Sequence, residues 1–257
     1  GIGAAVPRDT ATILDNKMGD CKDHVTLLHA LLAAAGIRSQ QALVNTGELY
    51  ELPDLPTVAV INHVITYLPD FNLYLDATAK NVPFGYLPPL AHGKPVVHVG
   101  VTPAVARIPD EPADHNRQSL HMSLQVHPDG SATGSMDVRL HGLQAAEWAA
   151  RLAEMSPETL SRHVRQALAA EGFVGRGSLT KGDAGSLSED YRYRVEFEID
   201  QFLPSGTQGG WRPRPVLRTA WPISSVAASS RRALPERSVS CHGYLSEERL
   251  DITLPEG

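Results

Sequence analysis

The chain has 257 residues, enough for two domains of ordinary size with real cores. A hydrophobic content of 42% and a charged content of 20% are those of a folded globular protein. Its net charge of −6, with no dense Lys/Arg cluster, argues against nucleic acid as the main partner. No apolar run approaches the roughly 20 residues that span a bilayer, so no membrane span is expected. Two cysteines, Cys21 and Cys241, do not make a disulfide framework.

The first informative stretch is Gly19-Asp20-Cys21-Lys22-Asp23-His24, together with the apolar run from Val25 to Gly36. Val25, Leu28, Leu31, Leu32 and Ala35 repeat at helical spacing, and Gly36 stands where a C-terminal cap belongs. Asp20 is a good N-cap, which places Cys21 in the first helical turn. Unpaired N–H groups and the helix dipole favour negative charge there, so a thiol so placed is a nucleophile candidate. A small core cysteine is the plain alternative, but the flanking residues Asp20, Lys22 and Asp23 are charged.

A nucleophilic thiol needs a base, and the base needs an orienting group. Thr57 to Leu68 is rich in β-branched residues with apolar side chains on both parities, and reads as a central strand. Pro69-Asp70 then turns the chain into a short return strand, Phe71 to Asp76. A turn centred on those two residues sets residue 68 opposite 71, and His63 opposite Asp76, with Cβ atoms about 4.5–5.5 Å apart. Proline at the first turn position argues for a four-residue loop over a two-residue one. Singly, His63 is a core histidine and Asp76 a strand-end cap. Facing each other, they are a base and its orienter.

The three segments G-D-C-K-D-H, N-H-V-I-T-Y-L and Y-L-D-A-T-A together resemble the transglutaminase-like superfamily. The similarity is nearest to bacterial members in which this core sits between β-rich domains. It covers about residues 1 to 90, including the P-F-G-Y-L-P run from Pro83 to Pro88, and fades beyond. It implies a papain-like site with Cys21 as nucleophile, His63 as base and Asp76 as orienter, and no cofactor. Its implied compartment is the periplasm or cell envelope, and its implied partner is a protein or peptide substrate. Family members carry a helical half-domain before the cysteine, often with an aromatic or amide side chain for the oxyanion. Here twenty residues precede Cys21, and none is Trp, Tyr or Gln. The opening Gly1-Ile2-Gly3 reads as an internal start, so an upstream region of a longer chain is expected to complete the cleft.

Pro88 to Asn116, with six prolines, reads as an extended connector with a domain boundary near Pro112. Beyond it, Ser119–Val126 and Ser131–Leu140 flank the hairpin signal His127-Pro128-Asp129-Gly130. A helix is expected over Leu143–Met155, and a second from Ser156, with Pro157 at its first position, to near Gly172. Phe173–Thr180 and Tyr191–Ile199 read as strands, the latter alternating strictly between apolar and charged residues. Gln208–Pro215 reads as loop, and Ser238–Tyr244 and Arg249–Leu254 as closing strands. The expected fold is α+β: a papain/transglutaminase-like core over residues 1–112, with the cysteine helix on an antiparallel sheet, then an antiparallel domain with two helices over 113–257.

No catalytic group stands out in the second half. His115, His121, His127 and His141 lack the spacing of metal signatures. Arg212, Arg214 and Arg218 near Trp211 and Trp221 read as a solvated loop, and Cys241 as a strand thiol. The first half is open to three functions. One is thiol-dependent acyl transfer on protein or peptide amides, resolved by water or by an amine, without calcium. A second is a zinc-dependent hydrolase using Cys21, His24, His63 and Asp76, since Cys21 and His24 share a helical face. The third is a catalytically inactive binding or scaffolding module.

Overall fold

The computed structural model describes residues 6–47, 51–54, 58–100, 103–183, 188–203, 216–217 and 243–256. It is a mixed α+β chain of four helices and two five-stranded sheets among the described residues. They divide into two compact units, one ending at Pro112 and the other beginning at Ala113.

The first unit opens with α1 (Thr10–Asn16), capped by Asp9, whose side chain accepts from Thr12 N at 2.9 Å. Helix α2 (Cys21–Ala34) comes next and ends as its sequence implies. Gly36 takes the left-handed conformation at φ 74°, and Ile37 N returns to Leu32 O at 2.9 Å. The sheet has the order β3-β2-β1-β4-β5, every pair antiparallel, from β1 (Gln40–Val44), β2 (His63–Leu68), β3 (Leu73–Leu75), β4 (Pro95–Val99) and β5 (Ala104–Arg107). Helix α2 packs on β2. Ala42, Val44, Ile65, Tyr74 and Val96 on the strands bury one core with Leu87, Ala91 and Ile108 from the connecting segments.

Three expectations for this unit need correction. The strand expected over Thr57–Leu68 begins only at His63; Val58–Val60 is a turn of 3₁₀ helix instead. The ladder stops there because Asn45 and Asn62 divert the backbone bonds. Asn62 Oδ1 accepts from Thr46 N at 2.9 Å, and Asn45 Nδ2 donates to Val60 O at 2.6 Å. The proline-punctuated segment after Pro88 is not a bare connector, since it supplies β4 and β5 to the sheet. Pro95 starts its strand and Pro103 precedes one, where a missing N–H costs the ladder least. The hairpin register is also displaced by two residues, because Leu68 pairs with Leu73 and Asp76 aligns beyond Leu75 with Ile65. The loop is four residues long, Pro69 to Asn72, and Asn72 closes it at φ 47°.

The second unit is a sheet of order β10-β6-β7-β9-β8 with two helices. Its strands are β6 (Arg117–Val126), β7 (Ala132–His141), β8 (Gly175–Lys181), β9 (Asp190–Ile199) and β10 (Leu245–Thr253). The β6–β7 hairpin turns through Pro128-Asp129-Gly130, with Gly130 at φ 84°. Tyr191, Tyr193, Val195, Phe197 and Ile199 are all buried and the residues between them exposed, as strict alternation requires. Helix α3 (Leu143–Ala153) receives the Asn116 carboxamide at Leu143 N (2.9 Å), and Lys181 Nζ donates to Leu152 O, Ala153 O and Met155 O at its other end. Helix α4 (Pro157–Ala170) is capped by Ser156 and buries Leu160, Val164 and Leu168 at i, i+4 and i+8.

One strand departs from the antiparallel expectation: β10 runs parallel to β6. A parallel neighbour needs a connection of a dozen or more residues, and the stretch between β9 and β10 is long enough to return the chain to the same end. The expected loop at Gln208–Pro215, the Arg212, Arg214, Arg218, Trp211 and Trp221 group, Cys241 and residues 238–242 of the strand expected over Ser238–Tyr244 lie outside the described residues, and Gly243 and Tyr244 precede β10 without joining it.

Candidate active site

Local chemistry explains the start of α2 residue by residue. Asp20 is an extended N-cap whose carboxylate accepts from Asp23 N at 3.3 Å, and Asp23 Oδ2 accepts from Asp20 N at 3.2 Å. This reciprocal capping box satisfies two donors that a helix start otherwise leaves open. Gly19 is required by the same packing, because a Cβ there would stand 2.8 Å from Asp23 Cβ. Lys22 pairs with Asp20 across the cysteine. Cys21, half-buried, is thereby held at the first helical position among charged side chains.

His63 and Asp76 meet. His63 Nε2 lies 2.8 Å from Asp76 Oδ2, and both side chains are largely buried. The register places them on one face as diagonal neighbours, where long side chains still reach each other. The expected direct opposition was off by two residues; because side-chain direction has period two, the shift leaves Asp76 on the face of His63. Strand β3 ends at Leu75, and Asp76 turns the chain, its Oδ1 accepting from Thr78 N at 3.0 Å and Thr78 Oγ1 at 2.5 Å. Burial alone would push this carboxyl up; the bonds from His63 and Thr78 outweigh it and hold Asp76 below its ordinary range.

The pairing also fixes the imidazole tautomer. An ionised carboxylate only accepts, so Nε2 carries the proton and Nδ1 of the neutral ring keeps its lone pair. Among the described residues no hydrogen bond engages Nδ1, and none joins the ring to Cys21 Sγ. The structure therefore joins two of the three expected residues and sets the third at the head of a helix packed on the strand that His63 begins.

His24 does not join them. Its Nδ1 lies 2.8 Å from Asp20 O, and among the described residues no three His, Cys, Asp or Glu side chains are gathered to hold a metal. In the second unit His121 and His141 pair with Asp251 and Asp190, at 2.8 and 3.0 Å, and His127 bonds Thr133 at 3.1 Å. A wide concavity of about 860 Å³ lies on the open face of that sheet. Its lining, Ser123, Ser135, Arg176, Glu196 and Glu198 among others, offers no nucleophile beside a base, and its charges bond to one another, as Arg176 does to Glu198.

Sequence reasoning missed two groups around the site. One is Arg8, whose backbone N and guanidinium both bind Asp23. The sequence offered Asp20 as a cap, but no local pattern points to Arg8. The other is an aromatic cluster in the same sheet. Tyr74 OH lies 2.8 Å from His98 Nε2, and the Tyr67 ring stacks on His98 at 4.2 Å. Burial pushes the Tyr74 hydroxyl up to about 12 and lowers His98, so both stay neutral. These partners come together only across β2, β3, β1 and β4.

No family model, curated protein or solved structure matches the chain. No helix among the described residues is long and apolar enough to cross a membrane.

Proposed function

We propose that the first unit is a transglutaminase-like, papain-type thiol enzyme that transfers acyl groups from protein or peptide amides. One observation carries this reading above the others: His63 is oriented by Asp76 through Nε2, which leaves Nδ1 as the basic nitrogen, in a unit whose cysteine heads a helix. In this scheme Nδ1 takes the Cys21 proton as sulfur attacks the amide carbonyl. The first-turn N–H of Cys21 supplies one donor to the oxyanion. The tetrahedral adduct collapses to a thioester, and the leaving amine departs with the proton from His63. Water or a second amine then releases the acyl group through the same ring. Asp76 remains a carboxylate throughout and stabilises the transient imidazolium. In the free chain the thiol and imidazole come within reach of each other transiently, and their hydrogen bond tightens in the substrate complex.

Thiol alkylation tests the proposal directly. Iodoacetamide is expected to label Cys21 ahead of Cys241 at neutral pH, and His63→Ala to slow that labelling at least about tenfold. Cys21→Ala should abolish release of amine from peptide amides. Equal labelling of the two thiols, indifferent to His63, would instead support a non-catalytic binding module, the reading that the missing Cys21–His63 hydrogen bond favours.

A further inference from the structure

We propose that Arg8 is a positioning residue for the Cys21 thiol and acts through Asp23, an inference that rests on the thiol reading above. Asp23 stands two residues beyond the cysteine and is only 1% exposed. A buried carboxylate needs compensation, and its donors come chiefly from outside its own helix. Arg8 N reaches Oδ1 at 3.0 Å, while Arg8 Nε and Nη2 reach Oδ2 at 3.0 and 2.5 Å. The same Nη2 donates to Met18 O at 3.0 Å, so one guanidinium ties together both sides of the Gly19 bend. Asp23 in turn accepts from Asp20 N, the backbone donor next to the cysteine.

Two effects converge on the sulfur. Mechanically, the position of Cys21 at the first turn of the helix is set by the Asp20–Asp23 box, and Arg8 fixes the Asp23 half of that box. Electrostatically, Asp20 and Asp23 put two negative charges into the turn that carries Cys21, where they work against the anion-favouring field of the helix start. Lys22 answers the first and Arg8 the second. The segment carrying Arg8 is thus held against the start of the cysteine helix.

The test measures the alkylation rate of Cys21 by iodoacetamide at about pH 7 in the full chain and in Arg8→Met, Arg8→Lys, Asp23→Asn and the double variant Arg8→Met/Asp23→Asn. Arg8→Met is expected to react about tenfold more slowly, because the box loses its clamp and Asp23 is left as an unanswered charge in the turn that carries Cys21. The double variant, which removes that charge, should recover to within about threefold of the parent rate, and Arg8→Lys should keep part of it, having charge without the planar fork. A clamp that only supports the fold would lower the thermal midpoint of Arg8→Met and leave its labelling rate unchanged; that result overturns the proposal. Equal slowing in Arg8→Met and the double variant also overturns it, since charge would then play no part. Should Arg8→Met fail to fold, Arg8→Lys at the parent rate would count against the proposal and a slowed Arg8→Lys for it. His63→Ala, measured in parallel, separates this inference from the catalytic scheme. A slow Arg8→Met beside an unaffected His63→Ala sinks acyl transfer and leaves the positioning role standing.

Discussion

At the scale of single residues, the start of α2 gathers Arg8, Asp20, Lys22 and Asp23 into two ion pairs. Asp23 is held well below the usual carboxylate range, first by the Arg8 side-chain bonds, then by its backbone N–H. The folded chain therefore takes up that proton at lower pH than the unfolded chain does. The stabilisation from this clamp is fully present above about pH 4 and is lost as pH falls through the folded-state value. Thermal midpoints measured from about pH 5 down to about pH 2 should fall steeply in the parent chain and less steeply in Asp23→Asn. Parallel slopes would show that Asp23 does not contribute to the acid limb. Asp76 has the same sign, so Asp76→Ala, which removes both the titrating carboxyl and the acceptor for His63 Nε2, should flatten the limb further and slow Cys21 labelling.

At the scale of elements, glycine permits close approach where strand meets helix. In β8, a Cβ on Gly177 would stand 2.4 Å from Glu196 O and 2.7 Å from Val164 Cγ1 of α4. Neither the backbone carbonyl nor the buried valine can yield cheaply. Gly177→Ala is expected to cost on the order of 1–3 kcal/mol in unfolding free energy, as overpacking does, measurable by urea denaturation. A change below about 0.5 kcal/mol, the scale of neutral surface substitutions, would mean that α4 is free to shift away from β8. In the β2–β3 hairpin it is loop length that decides. The four-residue loop sets the register, and the even displacement keeps Asp76 on the face of His63; an odd one would have turned the carboxylate to the other face.

At the scale of the whole molecule, the two units have separate hydrophobic cores, and Cys21, His63 and Asp76 all belong to the first. A destabilising change in the second core should therefore be visible in unfolding and silent in thiol chemistry. Gly177→Ala is expected to alter the thermal transition while Cys21 labelling at 25 °C stays within about twofold of the parent, a spread small against the tenfold effects of site variants. A large change in labelling would show that the second unit takes part in the site. Its polar open sheet face carries Arg194 with Asp137 at 2.7 Å and Glu196 at 3.2 Å, a solvated pattern of paired charges rather than a reactive one.

Much of this was legible in the order of residues, because the deciding interactions are local. The Asp20 cap, the Gly36 stop, the Ser156-Pro157 start of α4 and the alternation of Tyr191–Ile199 each depend on neighbours within a few positions. The meeting of His63 and Asp76 was also readable, since a hairpin brings near neighbours together whichever even register it takes. The rest was settled over distance. Strands β4 and β5 looked like connector because prolines mask their pattern, and only pairing of β4 with β1 and of β5 with β4 gives their backbone groups partners. The parallel β10 is fixed by a strand 128 residues earlier, through pairs such as Gln118–Ser246. Arg8 illustrates the division most plainly: an arginine in an unpatterned segment has no local signature, and its role emerges only where the fold buries Asp23 and leaves that charge to be answered.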